Sequence, residues 1–134
     1  LWTFVTPDAP GICFLQNPAS GLVIDIQGAS TKPGTHLDAY TKKSSYPDWN
    51  NQLWTFAPSS VSEYYFIVGD GNLVIDVQGA STKAGTLLDA YTQKTSSPDW
   101  DNQLWTFIDE DGNFVPPPQQ EILKFTVAYL KSLK

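Results

Sequence analysis

Residues 21–56 read GLVIDIQGASTKPGTHLDAYTKKSSYPDWNNQLWTF, and residues 72–107 read NLVIDVQGASTKAGTLLDAYTQKTSSPDWDNQLWTF. The two stretches agree at 28 of 36 positions with a constant offset of 51. Such repetition decides the architecture first, because each unit must bury its apolar face against a neighbouring unit. Each copy reads as a strand (LVIDIQ or LVIDVQ), a glycine-containing turn (GASTKPG or GASTKAG) and a second strand around LDAYT. A loop ending in Pro-Asp-Trp and a last strand, NQLWTF, complete it. Short alternating strands between turn residues predict an all-β unit. Ahead of each copy lies another apolar run, at 12–16 and 64–68, which supplies a fourth strand. Four strands per unit of about 50 residues predict radial repetition around a small barrel.

With 134 residues the chain is expected to form one domain rather than two. Nine glycines and ten prolines among 13% aromatic residues suit a barrel or sandwich with many turns. Acidic residues number 14 against 8 lysines, and arginine does not occur. That balance gives no electrostatic footprint for nucleic acid or anionic lipid, so the expected partner is neutral. No apolar run approaches membrane-spanning length, which predicts a soluble protein without membrane insertion. No charged segment followed by an apolar run opens the sequence, and no glycosylation acceptor with a permitted middle residue occurs. The expectation leans cytoplasmic and leaves secretion open. Cys13 is the one cysteine, so no intrachain disulfide can form.

Trp54 and Trp105 sit in identical strands, where alternation sends Trp and Phe to one face and Leu and Thr to the other. These aromatics read as core, and Gln52 and Gln103 beside them read first as structural, bonding loop backbone from inside the repeat. The repeated residues that resist burial are Asp25, Asp38, Tyr40 and Asn51 in copy one and Asp76, Asp89, Tyr91 and Asn102 in copy two. Asp25 interrupts an apolar strand, where an unpaired carboxylate would be costly, so it must reach a rim or a partner. Asp38 and Tyr40 are two apart and share one face, and a hairpin with the strand of Asp25 brings all three together. Asn51 arrives from the loop before the last strand. The expected result is a shallow pocket with an aromatic plate on one side and carboxylate and amide groups on the other. A neutral sugar suits it, since a pyranose C–H face stacks on an aromatic ring while adjacent hydroxyls bond carboxylate and amide. The structural alternative has Asp25 capping the following turn and Tyr40 as an ordinary rim aromatic.

The order strand with Asp, turn with Gly, acidic residue, aromatic, then Asn-Gln-X-Trp resembles the ricin-type β-trefoil lectins, whose lobes carry a Q-X-W motif. The resemblance covers residues 12–107, with Gln52 to Trp54 and Gln103 to Trp105 as the motifs. It implies that Asp25 and Asp76 bind paired hydroxyls, that Tyr40 and Tyr91 stack, and that Asn51 and Asn102 complete the polar side. The LDAYT and NQLWTF segments are similar to fungal ricin-B-like lectins and to the light subunit of mushroom tyrosinase. Three departures stand out. The cysteine pair found in many lobes is replaced by Val23 with Lys42 and by Val74 with Gln93; Asp38 and Asp89 stand where galactose binders often have Gln. The loops carrying Trp49 and Trp100 are extended, so each tryptophan is either a second sugar wall or a lid on its lobe. Trp49, Trp100, Gln52 and Gln103 are thus further candidates for the sugar site.

His36 is the only histidine and has Leu87 as its counterpart, so it serves neither both sites nor a triad. Residues 109–113 lack the spacing of a calcium loop and read as a hairpin turn, and no metal or other cofactor is expected. A glycosidase pair made of Asp25 and Asp38 would need two duplicated active sites with no other support, so no enzyme is expected. Barrel closure needs first strands near 12–17, 64–69 and 113–115 and fourth strands near 52–57, 103–108 and 1–4. The opening LWTF then serves the third lobe, which is incomplete and formed by 109–134 with 1–4; Trp2 is expected to join Trp54 and Trp105. Residues 119–134 read as an amphipathic helix over the third sector, with one long strand as the alternative, and no third sugar site is expected. The functional expectation is a non-catalytic lectin with two equivalent sites, for galactose-type or related neutral sugars on mono- or oligosaccharides or glycoproteins, and so an agglutinin. The alternative is a lectin-like interaction subunit of an enzyme complex without sugar binding; a homo-oligomer or protein partner stays open.

Overall fold

The structure, a computed structural model, describes residues 1–9 and 11–119. The expectation of a helix or long strand over 119–134 lies outside the described residues, save Gln119. Eight strands form: β1 (Thr3–Val5), β2 (Phe14–Gln16), β3 (Val23–Ile26), β4 (Thr35–Tyr40), β5 (Thr55–Pro58), β6 (Tyr65–Val68), β7 (Leu73–Val77) and β8 (Leu88–Thr92). They pair antiparallel in the order β1-β2-β3-β4-β8-β7-β6-β5, a curled all-β half-barrel with no α-helix among the described residues. The order is a palindrome of the sequence repeat. Each copy contributes a hairpin, β3/β4 or β7/β8, and the copies meet where Thr35 and His36 pair with Ala90 and Asp89.

The LVID strands are covered on both sides, which is why they read as near-continuous apolar runs rather than as alternation. Each then turns through a short 3₁₀ segment, Gln27–Ala29 or Gln78–Ala80. Gly28 and Gly79 sit there at φ 67° and 64°, a left-handed backbone that a side chain disfavours. Another 3₁₀ turn, Asp48–Gln52 or Asp99–Gln103, replaces the start of the expected NQLWTF strand. Asn51 and Gln52 leave the extended path so that their amides can turn inward, and pairing resumes only at Trp54, which bridges Cys13.

In the barrel, β1 pairs with β2 as β5 pairs with β6, Phe4 lying opposite Leu15 and Phe56 opposite Ile67. A third pair is reduced to a bridge between Ile108 and Phe114, with the Val115 N–H donating to the Phe107 carbonyl at 2.8 Å. The rings of Phe4, Phe56 and Phe107 form a triangle with centroids 5.3–5.4 Å apart, all edge to face. These are the last residues of the three LWTF segments. Trp2 corrects the expected threefold of tryptophans, being 51% exposed where Trp54 is fully buried. The indoles of Trp54 and Trp105 donate to the carbonyls of Ile24 and Ile75, on β3 and β7. No described strand offers Trp2 the equivalent acceptor, and a buried indole N–H without one is costly. The core gathers Cys13, Leu15, Ile26, Trp54, Phe56, Ile67, Leu73, Ile75 and Ala90. Burial pushes the Cys13 thiol up to about 12.

Candidate functional site

The hairpin register sets Asp25 directly opposite Asp38 and Val23 opposite Tyr40, so Asp25, Asp38 and Tyr40 share one face as their spacing predicts. The same holds for Asp76, Asp89 and Tyr91. Asn51 and Gln52 reach this face from the 3₁₀ turn. Asn51 Nδ2 donates to Asp25 Oδ2 at 3.1 Å and to the Ile26 carbonyl at 2.9 Å. Gln52 Nε2 donates to the same Asp25 oxygen and to the Thr41 carbonyl, both at 2.9 Å, while its Oε1 accepts the Lys43 N–H at 2.8 Å. Gln52 thus bonds the loop backbone from within the repeat. Copy two repeats the pattern, with Asn102 and Gln103 donating to Asp76 Oδ2 at 3.1 and 2.9 Å.

Asp25 and Asp76 are therefore not rim carboxylates: they are 3% and 2% exposed. Nor does Asp25 cap the following turn, which begins from Ile26 without a side-chain bond. Two amide donors on one oxygen make burial of the carboxylate tolerable. Behind them stands an ammonium that composition alone did not single out. Lys43 Nζ donates to Asn51 Oδ1 at 2.8 Å, and Lys94 Nζ does the same to Asn102. The signal for it was present, since both lysines recur at the repeat offset, nine residues before each Gln.

Tyr40 and Tyr91 stand out from this network, 53% and 42% exposed. Trp49 and Trp100 lie edge-on against Phe14 and Phe66 at 6.0 and 5.9 Å, partly buried over their lobes. Among the described residues Asp38 and Asp89 take no amide donor. Burial, then the neighbouring Asp25 carboxyl, raises Asp38 from 3.8 to about 6. Burial and Asp76 raise Asp89 to about 7, against the opposing pull of Lys94. Each has an Oδ1 that is buried with no N–H or hydroxyl partner among the described residues, beside the carboxyl it faces across the hairpin.

The copies differ in their surroundings. Beside Asn102 opens a cleft of about 490 Å³ walled by Val77, Ser81, Lys94, Asp99 and Asp101. Asp101 replaces Asn50, which makes the second rim more acidic. In copy one the matching wall is packed by copy two, a Cβ on Gly71 lying 3.0 Å from Thr31 Cβ. His36 is exposed on β4, and in 109–113 Asp109 Oδ1 accepts the N–H groups of Asp111 and Asn113, a hairpin turn. Among the described residues, no three His, Cys, Asp or Glu gather as metal ligands, and no helix is long and apolar enough to cross a membrane.

Repeated four-strand units around a ring of inner aromatics define a β-trefoil. The family model described as ricin-type beta-trefoil lectin domain-like matches residues 1–91 and 50–115, and the chain belongs to that family, one of carbohydrate-binding domains. The fold is similar to that of the designed 3-fold symmetric protein ThreeFoil, at 28% identity and TM-score 0.68, covering 81% of this chain and 71% of that one. It is similar also to 1,3Gal43A, an exo-beta-1,3-galactanase from Clostridium thermocellum, at 28% identity and TM-score 0.65. That match covers 78% of this chain but only 21% of the galactanase. A Polyporus squamosus lectin solved with Neu5Aca2-6Galb1-4GlcNAc shares the fold at 18% identity and TM-score 0.60, over 79% of this chain and 34% of that one. Among curated protein sequences none matches this chain.

Proposed function

We propose that the protein is a non-catalytic lectin with two shallow sites for neutral, galactose-type sugars. Tyr40 and Tyr91 stack on the pyranose, and Asn51, Asn102 and the aspartates of each hairpin take its hydroxyls. The observation that carries the reading is the exposed tyrosine beside a carboxylate and amide network, built twice on one frame. The likeness to a galactanase over most of this chain supports the sugar class. The carboxyls also argue against hydrolysis. A glycosidase sets two carboxyls about 5 Å or more apart across the scissile bond, whereas Asp25 and Asp38 stand directly opposite on paired strands, within reach of a carboxyl–carboxyl bond.

So few converging groups give a monosaccharide Kd on the order of millimolar, and the protein gains strength from glycans that engage both sites. The test is a glycan array competed with free galactose, followed by calorimetry on the best ligand. Tyr40→Ala and Tyr91→Ala should each remove one site of two, and affinity should barely change with ionic strength, because an uncharged ligand is not screened. A blank array with an enzyme co-purifying would favour an interaction subunit, and a steep salt dependence would point to an anionic glycan.

A further inference from the structure

Each hairpin holds two carboxyls that face each other, Asp25 with Asp38 and Asp76 with Asp89. Side chains directly opposite on an antiparallel pair stand about 5 Å apart at Cβ, within reach of a carboxyl–carboxyl bond. Two carboxylates at that range do not both stay ionised in a buried place; one keeps a proton. The donors decide which. Asn51 and Gln52 both give their N–H groups to Asp25, and Asn102 and Gln103 give theirs to Asp76. Asp38 and Asp89 receive none from the described residues, so the proton belongs to them. The same atom, Oδ1, is buried in both copies without an N–H or hydroxyl partner among the described residues, so its partner is the carboxyl that it faces.

We propose that Asp38 and Asp89 each hold the proton of a shared carboxyl pair and donate it to Asp25 and Asp76, closing the base of the sugar site, so that sugar binding is switched off when alkali ionises both carboxyls and the pair parts. The inference rests on the lectin reading for its ligand, but not for the pair itself. At the position before the aromatic a protonated carboxyl does what a neutral amide would do, and an ionised one cannot donate at all.

The two pairs are not identical. Asp89 is 4% exposed because β4 lies across β8, whereas Asp38 is only partly buried. Around Asp38 the titratable and charged groups are Asp25 on β3, His36 and Tyr40 on its own strand, Asp89 on β8, and Asp48 with Lys43, which bonds Asn51. Around Asp89 they are Asp76 on β7, His36 on β4, Tyr91 on its own strand, Asp99 and Asp101 in the turn against β7, and Lys94. The net environment raises both acids, to about 6 and about 7, so site one releases its proton first.

The test follows the side-chain carboxyl carbons by NMR from pH 3 to 9 in the free protein, with Asp38→Asn and Asp89→Asn for assignment. In parallel, retention on lactosyl-agarose is measured from pH 5 to 8.5. Expected are two carboxyls titrating near 6 and 7, and retention about fivefold weaker at pH 8.5 than at pH 5. The double Asn variant should retain lactose equally at both pH values, since its amides still donate. Titration of both groups below pH 5 would overturn the shared proton. The same alkaline loss in the double Asn variant would overturn the donor role. No retention at any pH, with the carboxyls titrating high, would remove the galactose reading and leave the proton pairs established.

Discussion

The ring of Phe4 meets that of Phe107 at 5.3 Å and 68°, although the two lie at opposite ends of the described chain. The contact joins the opening segment to the end of the second copy, and Phe56 completes the triangle. Phe4→Ala should therefore cost about 3 kcal/mol in urea unfolding, the low end for a core phenylalanine because Phe4 is partly buried. Trp2→Ala, at a half-exposed position, should stay within about 0.5 kcal/mol. Equal losses for the two would mean that the opening segment is held by Trp2 and not by the ring triangle.

Gly69 ends β6 against the buried Trp54 ring, where an added Cβ would lie 2.5 and 2.8 Å from two ring carbons. Its φ of −117° is open to any residue, so the effect of Gly69→Ala isolates packing from backbone strain. Forced overpacking of this kind costs about 1 to 3 kcal/mol. Thermal unfolding of the variant should show it, together with a shifted Trp54 emission. An unchanged melting temperature would show that the ring has room to move.

The carboxyl pairs also set a pH dependence of stability. Asp38 and Asp89 are protonated in the fold up to about 6 and about 7, whereas an unfolded chain has lost those protons above 3.8. The folded state binds more protons in that interval, so stability falls as pH rises. The contribution is full below 3.8, is lost through about 6 and about 7, and is flat beyond. Urea midpoints should decline from pH 4.5 to pH 8 in the native protein and far less in the Asp38→Asn, Asp89→Asn double variant. Identical slopes in the two proteins would assign the effect to other groups.

Much of this was legible because period-two alternation is a strict rule. Asp38 and Tyr40 had to share a face, and a hairpin had to bring Asp25 to them. The internal role of Gln52 was legible too, from an amide set beside a core tryptophan. The depth of Asp25 was not: a carboxylate in an apolar strand must reach either a rim or a partner, and only the fold shows that Asn51 and Gln52 bring the partner to it. The role of Lys43 was not legible, because its link to the site runs through the Asn51 amide rather than through a motif. Trp2 was misplaced because the shared LWTF string specifies a face but not the acceptor its indole needs.

The amides and the tyrosines can be separated by experiment. Gln52 is fully buried and bonds Lys43, Thr41 and Asp25, so Gln52→Ala strands a backbone N–H and a carbonyl and leaves Asp25 with Asn51 as its remaining amide donor. Leaving buried groups unpaired costs about 1 to 3 kcal/mol each, which puts the total on the order of 3 kcal/mol after local relaxation. Tyr40→Ala removes a ring that is half in solvent, so stability should hold within about 0.5 kcal/mol. Binding at its site should weaken by about 1 to 2 kcal/mol through lost stacking. Asp25→Ala is the less clean probe, because it abolishes the acceptor that Asn51 and Gln52 share and so perturbs fold and site together. Urea unfolding and ligand calorimetry on Gln52→Ala and Tyr40→Ala should thus give opposite profiles. A Tyr40→Ala protein that binds its glycan at both sites with native affinity would place the sugar elsewhere on the lobe.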